Sequence, residues 1–324
     1  MNGAVGIVGA GAFGAALAIA LARQGRDVWL WARDAAVVDH MRTTREIRRL
    51  SGAVLPENVS VTADMSDLGL CPAILLSVPM QALGGFLSLH AGNLKDRHLV
   101  ACCKGMDLAT QRGPTGLIAS ACPKATPMIL TGPSFAADIA QGQATALTLA
   151  CTDEAALKHV QQDLSGPILR IYRNSDVIGA ELGGALKNVI AIAAGIVMGA
   201  GLGESARAAL MTRGFAEMVR FATQLGARPE TLMGLSGFGD LVLTCTSDQS
   251  RNFRHGLALG RGDSPDASLT VEGVATAQAI LAQAAHLGVA DQIPVTAMVA
   301  RVTTGKTTIP DAIHALMSRP LKEE

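Results

Sequence analysis

Aromatic residues are scarce in this chain. Seven Phe, two Trp and one Tyr make up 3% of its 324 residues, which leaves packing to small and aliphatic side chains. No sign of charge prevails: 27 Lys+Arg balance 27 Asp+Glu. A strongly basic surface for nucleic acid is therefore not expected. Hydrophobic residues reach 49%, which excludes a disordered chain, since disorder needs low hydrophobicity and high net charge. The six cysteines, Cys71, Cys102, Cys103, Cys122, Cys151 and Cys245, form no C-x-x-C pair, and no His spacing suggests a metal site. They lie among apolar neighbours and read as reduced, buried thiols of a cytoplasmic protein. The N-terminus lacks the charged region of a signal peptide. The longest apolar stretch, Val189–Leu202, is shorter than the about 20 residues a membrane span needs, so no membrane span is expected. Glycine is what the chain has in excess: 35 residues, where average usage gives about 23.

At about 100–200 residues per domain the length implies two domains. Up to Asn174, short apolar runs alternate with helical patterns. Strands are expected at Ala4–Val8, Val28–Trp31, Ala73–Val78, His98–Cys103, Pro127–Thr131, Ala144–Ala150 and Ile168–Tyr172, with a small-residue helix at Ala12–Gln24. Nearly all-apolar strands alternating with helices imply an α/β fold with a parallel, doubly wound sheet covered on both faces. Beyond Asp176 the pattern is helical: Gly179–Gly199, Glu204–Leu225, Pro229–Met233, Gly273–Leu287, Val295–Thr303 and Ile309–Met317. The reading is an N-terminal Rossmann-type domain over residues 1–174 and an all-helical domain over residues 175–324.

Gly9-Ala10-Gly11-Ala12-Phe13-Gly14 follows the first strand and opens the first helix. Gly9 suits the tight turn, Gly11 lets backbone approach a pyrophosphate, and Gly14 lets the helix pack on the sheet. The phosphates would sit at the helix N-terminus. At the end of the second strand the sequence reads Trp31-Ala32-Arg33-Asp34, with Arg45, Arg48 and Arg49 nearby. Arg33 points to NADP(H), with NAD(H) as the alternative that Asp34 keeps open by way of a ribose hydroxyl.

Three charged positions stand out in context. Lys187 is the sole charge between Leu182 and Leu202, which suits either a desolvated acid/base amine or a snorkelling surface lysine. Lys104 follows the strand His98–Cys103, at the end where open α/β sheets bind ligands. Asp240 sits in Gly237-Phe238-Gly239-Asp240, as a helix N-cap or a site carboxylate. Ser250-Arg251-Asn252 offers a planar cationic fork with two neutral partners, a grouping that fits phosphate but is also common in surface loops.

These residues resemble those of bacterial-type NAD(P)-dependent glycerol-3-phosphate dehydrogenases almost end to end. The match is carried by Gly9–Gly14, Ser77-Val78-Pro79, Lys104-Gly105, Thr131-Gly132-Pro133-Ser134-Phe135-Ala136, Gly183-Gly184-Ala185-Leu186-Lys187-Asn188, Gly237–Leu241, Thr244-Cys245-Thr246, Ser250-Arg251-Asn252 and Val271-Glu272-Gly273. The resemblance implies reversible reduction of dihydroxyacetone phosphate to sn-glycerol 3-phosphate, which feeds glycerophospholipid synthesis. It implies catalytic roles for Lys187, Lys104 and Asp240. It places Gly9, Gly11, Ala12, Phe13, Gly14, Arg33, Lys104, Ala136, Arg251 and Glu272 at the cofactor, and Lys104, Gly132, Ser134, Lys187, Asp240, Ser250, Arg251 and Asn252 at the substrate. Two departures stand out. Ala12 and Phe13 replace a Ser/Ala and Trp/Tyr often found in the fingerprint, and Arg48–Gly52 replaces a Tyr-Leu-Pro-Gly type stretch. The alternatives are another two-domain NAD(P)-dependent hydroxyacid or sugar-acid dehydrogenase, and a non-catalytic dinucleotide sensor. A homodimer is the base-rate expectation for assembly.

Overall fold

The computed structural model describes residues 3–266 and 269–317. The chain divides into two compact units. Of the described residues, the first comprises those up to Lys104 and from Arg112 to Glu181, and the second comprises Gly105–Gln111 and those from Leu182 onward.

The first unit is built on one eight-stranded sheet. Its strands are β1 (Val5–Val8), β2 (Val28–Trp31), β3 (Val59–Thr62), β4 (Ala73–Leu76), β5 (His98–Ala101), β6 (Thr126–Thr131), β7 (Thr145–Ala150) and β8 (Leu169–Asn174). They lie in the order β3-β2-β1-β4-β5-β6-β7-β8. Helices α1 (Ala12–Arg23), α2 (Ala35–Thr44), α3 (Met80–His90), α4 (Pro114–Ala121), α5 (Ala136–Ala140) and α6 (Glu154–Leu164) connect them. Successive strand residues face opposite sides. Ile7, Leu75 and Val100 pack with α1 in one core, and Val8, Leu76 and Leu99 pack with α3 and α4 in another. Each fully buried Leu or Ile contributes roughly 1.5–3 kcal/mol, which is why these strands read as unbroken apolar runs.

Two features differ from the expected parallel sheet. β3 was not anticipated, because Val59-Ser60-Val61-Thr62 alternates rather than running apolar: Val59 and Val61 are buried while Ser60 is exposed. As a sheet edge, β3 needs only that much. β7 pairs antiparallel with β6, while the other neighbours are parallel. Antiparallel neighbours need no long crossover, and only the short α5 separates the two strands.

The described elements of the second unit are helices: α7 (Val177–Gly199), α8 (Glu204–Gln224), α9 (Pro229–Met233), α10 (Asp240–Cys245), α11 (Arg251–Arg261), α12 (Glu272–His286), α13 (Pro294–Thr303) and α14 (Ile309–Met317). α7 starts in the first unit, where Val177 and Ala180 pack on Ile129 of β6 and Ala150 of β7. The unit boundary therefore falls after Glu181 rather than after Asn174. At 23 residues with mean hydropathy 1.6, α7 is longer than the apolar stretch read from sequence and passes a membrane-span test by composition. Its window is 83% buried within the protein, which is the signature of a core helix.

Several glycines of the excess serve packing inside this unit. A Cβ on Gly195 would run into the Phe253 carbonyl, and one on Gly256 into the Ile192 carbonyl. Gly199 and Gly260 repeat the contact one turn on. α7 and α11 thus meet backbone to backbone. Elsewhere, Glu217 reaches from α8 to the N-terminus of α13. It accepts from Val295 N at 2.8 Å, Thr296 N at 2.9 Å and Thr296 Oγ1 at 2.6 Å, and burial pushes its carboxyl up against these bonds. Gly256→Val should destabilise the helical unit by about 1–3 kcal/mol or more through overpacking. Urea unfolding followed by helical circular dichroism measures this, and an unchanged midpoint would contradict the backbone contact.

Candidate functional site

In the first unit, the fingerprint glycines occupy three different environments. Gly9 has φ +103°, and a Cβ there would lie 2.5 Å from the Ser77 carbonyl oxygen. A Cβ on Gly14 would strike the Gly9 carbonyl. A Cβ on Gly11 would meet nothing within 4 Å. Gly9 and Gly14 are therefore fixed by the protein's own packing, whereas Gly11 faces open space. Gly11 is also the N-cap of α1, gives no side-chain cap bond, and precedes a first turn with no acidic residue. Backbone N–H groups without an internal acceptor and a positive helix end suit a pyrophosphate. The turn lies where strand order reverses, between β1 and β4, the usual ligand position in such sheets. The residues present fit a dinucleotide. Ala12 and Phe13 are half-buried in the first turn of α1.

Arg33 is exposed just beyond β2. Asp34 instead caps α2, accepting from Ala36 N at 2.9 Å. Arg45 differs from expectation: its guanidinium donates to the carbonyls of Leu55, Pro56 and Val59, so it braces its own loop. Arg48 and Arg49 are exposed in a turn anchored by buried Leu50.

Three more candidates converge at the ends of β5 and β6. Lys104 Nζ donates to Gly132 O at 3.1 Å, and Ser134 Oγ donates to the same oxygen at 3.2 Å. Gly132 holds φ +137°, and a Cβ there would press on Leu147. Ala136 opens α5, half-buried. Cys102, two residues before Lys104, has its thiol pushed up to about 12 by burial, so it is no nucleophile.

In the second unit, α7 and α10 bring Lys187 and Asp240 together. Lys187 Nζ lies 3.1 Å from Asp240 Oδ1, with side chains 8% and 2% exposed. Thr244, one helical turn after Asp240, completes the cluster. It accepts from Lys187 Nζ at 2.8 Å, and its hydroxyl donates to Asp240 Oδ1 at 3.2 Å. Lys187 is thus no lone amine, because a carboxylate and a hydroxyl lie against it. Asp240 is not the N-cap either: Gly239 takes that place, and Asp240 is the first residue of α10. One turn of π-helix, Leu235–Gly239, precedes it, a distortion frequent at functional sites. A Cβ on Gly237 would strike the Leu232 carbonyl, and one on Gly183 the Ser236 carbonyl 2.6 Å away. Cys245, within electrostatic reach of Lys187 and Asp240, has its thiol pushed up to about 12 by burial.

Ser250-Arg251-Asn252 is not a surface loop but the start of α11. Ser250 is its N-cap, accepting from Phe253 N at 3.1 Å, and is 4% exposed. Arg251 is exposed at the first position. Asn252 is buried: its amide donates to Asn188 Oδ1 at 2.9 Å, and its Oδ1 accepts from Gly273 N at 3.0 Å. Glu272 is the half-buried first residue of α12. Thr244 and Asn188 both lie in motifs legible in the sequence, but neither was singled out. The four-residue spacing of Asp240 and Thr244 was the available signal.

Family models match both halves of the chain. Residues 4–157 match the N-terminal part of NAD-dependent glycerol-3-phosphate dehydrogenase, and residues 176–314 match its C-terminal part. The chain belongs to this family. A glycerol-3-phosphate dehydrogenase, NAD(P)+, from Cereibacter sphaeroides is 60% identical over 320 residues, covering 99% of this chain and all of that protein. One from Paracoccus denitrificans is 56% identical, covering 99% of each. Among solved structures, a glycerol-3-phosphate dehydrogenase from Coxiella burnetii superposes with a TM-score of 0.93 at 34% identity, covering 98% of this chain and 99% of that one. A D-mandelate dehydrogenase, at 15% identity and TM-score 0.65 over 95% of this chain and 99% of that one, shares the fold alone.

The glycine environments separate folding from binding. Gly11→Val should fold normally yet weaken NADPH binding by roughly tenfold or more, since the backbone approach is blocked. Gly14→Val should unfold the first unit. Fluorescence titration with NADPH and thermal melts measure both, and full NADPH affinity in Gly11→Val would contradict the placement.

Proposed function

We infer that the chain reduces dihydroxyacetone phosphate to sn-glycerol 3-phosphate with NAD(P)H, reversibly, and so supplies glycerophospholipid synthesis. The observation that carries the reading is the buried Lys187–Asp240–Thr244 cluster in a chain of this family. Ketone reduction needs a hydride and a proton at one carbonyl group. A bound nicotinamide supplies the hydride. Lys187 gives its ammonium proton to the developing alkoxide oxygen, and in the reverse direction its neutral amine takes the hydroxyl proton. Asp240 stabilises the ammonium, and Thr244 fixes the position of Nζ. Lys104 polarises the carbonyl or holds the phosphate, and its ammonium also donates to the Gly132 carbonyl. Gly132 and Ser134 sit beside it as further substrate contacts.

Arg251 offers the phosphate an exposed guanidinium fork. Ser250 and Asn252, which hold the start of α11, flank that arginine as further substrate contacts in this reading. Ala136 and Glu272, each the first residue of its helix, are cofactor contacts in this reading. NADP(H) is the preferred cofactor, with NAD(H) possible, because Arg33 is exposed beyond β2 with its guanidinium available to a 2′-phosphate. A cytoplasmic location is supported by six buried, unpaired cysteines, as a reducing compartment keeps them. A homodimer is proposed on base rates.

Purified protein with NADPH should oxidise it only when dihydroxyacetone phosphate is added, and more efficiently than NADH. No oxidation would overturn the activity, and a strong preference for NADH would overturn the role of Arg33. Arg251→Ala should raise KM for dihydroxyacetone phosphate at least about tenfold, the weight of a lost charged hydrogen bond, with the melting temperature unchanged. An unchanged KM would remove Arg251 from the phosphate.

A further inference from the structure

The chain leaves the first unit after Lys104 and returns to it at Arg112. In between it places Met106, 4% exposed, in the core of the second unit. The third passage comes after Glu181, within α7. The returning segment leads into α4, whose N-cap, Gly113, has no side chain to cap with. Pro114 at the first position has no N–H, so the first amide needing an acceptor is that of Thr115. Glu181, distant in sequence, supplies it: Oε1 accepts from Thr115 N at 2.7 Å. The fit is close, for a Cβ on Gly113 would stand 2.5 Å from Glu181 Oε2.

We propose that Glu181 is a positioning residue for the reaction: its bond to the N-terminus of α4 holds the start of α7, the helix that carries Lys187. The proposal rests on Lys187 being the acid/base. The same bond anchors Thr115 at the start of α4. The groups facing this carboxylate are the neutral Gly113 and the amide and hydroxyl of Thr115. Arg112 turns its guanidinium to Ser120 Oγ, 2.5 Å away, and Asp176, earlier on the α7 side, accepts from Gly179 N at 2.8 Å.

The tie is pH-sensitive. Burial raises the Glu181 carboxyl to about 7, against the lowering effect of the Thr115 bonds. Above that pH the carboxylate is ionised and makes a charge-assisted bond to a positive helix end. Below it the carboxyl is neutral and the bond weakens. Stability runs the other way. With the folded value above the unfolded one, this group's protonated form favours folding at low pH, and that contribution fades as pH rises from about 4.5 to about 7. Loss of turnover at low pH through this residue is therefore not a loss of fold.

Hydride transfer from NADPH to dihydroxyacetone phosphate is measured from pH 5.5 to 9 for wild type, Glu181→Gln and Gly113→Ala, with melts at each pH. Glu181→Gln should be folded and about fivefold slower than wild type at high pH, the weight of exchanging a charge-assisted bond for a neutral one. It should lack the acid limb near pH 7 that wild type shows, with both KM values within about twofold. Gly113→Ala should fold and lose rate in the same way, because its Cβ displaces the carboxylate. A Glu181→Gln enzyme with wild-type rate and an unchanged acid limb overturns the proposal. Exchange of the Thr115 amide, followed by NMR, separates the two assignments. Protection that rises through pH 7 in wild type and is flat in Glu181→Gln keeps the tie even if Lys187 proves not to be the acid/base, whereas flat protection in both ends it.

Discussion

The buried ion pair of Lys187 and Asp240 is the constraint around which the polar groups of the helical unit are arranged. Taking two charges out of water costs several kcal/mol per ion, and their attraction offsets this only with good geometry and further hydrogen bonds. The further bond is present: Thr244 accepts from the lysine and donates to the aspartate. A hydrophobic pair of similar volume is often as stable or more so, so stability alone gives little reason to keep these charges. The next residue along α7, Asn188, extends the arrangement through Asn252 of α11 to the Gly273 amide of α12. Two adjacent side chains on α7 thus hold α10, α11 and α12. The glycine contacts between α7 and α11 let those short polar groups reach, since any side chain at Gly195 or Gly256 would force the helices apart.

The first unit solves a different problem with the same residue type. Its ligand end is made mainly of backbone: the fingerprint turn, the uncapped start of α1, and the Gly132 carbonyl that receives both Lys104 and Ser134. Backbone dipoles recognise anions at close range only where side chains are missing. The shortage of aromatic residues and the excess of glycine noted in the sequence are two sides of this one requirement.

Most of the sheet was legible because both its faces are covered, which forces apolar runs at β1, β2, β4 and β5. β3 and the reversal at β7 were not, since edge position and strand direction leave no apolar signature of their own. In the helical unit the long helices were legible from their extent. α10, six residues long, and α11, which starts with Ser-Arg-Asn and carries two glycines in its contact face, read as turn and loop. Lys187 and Asp240 could be picked out as isolated charges in apolar or glycine-rich settings. Their pairing could not, because more than fifty residues separate them and only tertiary packing joins them. Ser250 and Asn252 were placed at the substrate by resemblance. Their bonds to Phe253 N, Asn188 and Gly273 N add a structural role that a three-residue motif cannot reveal without knowing that a helix begins there.

The central claim is that Lys187 moves the proton. Single-turnover stopped-flow, with NADPH pre-bound and dihydroxyacetone phosphate added, observes that step directly in wild type and Lys187→Ala. Hydride transfer should slow by about 10²–10⁴-fold in Lys187→Ala, the usual weight of a general acid, while NADPH affinity stays the same. An undiminished single-turnover rate in folded Lys187→Ala would contradict it.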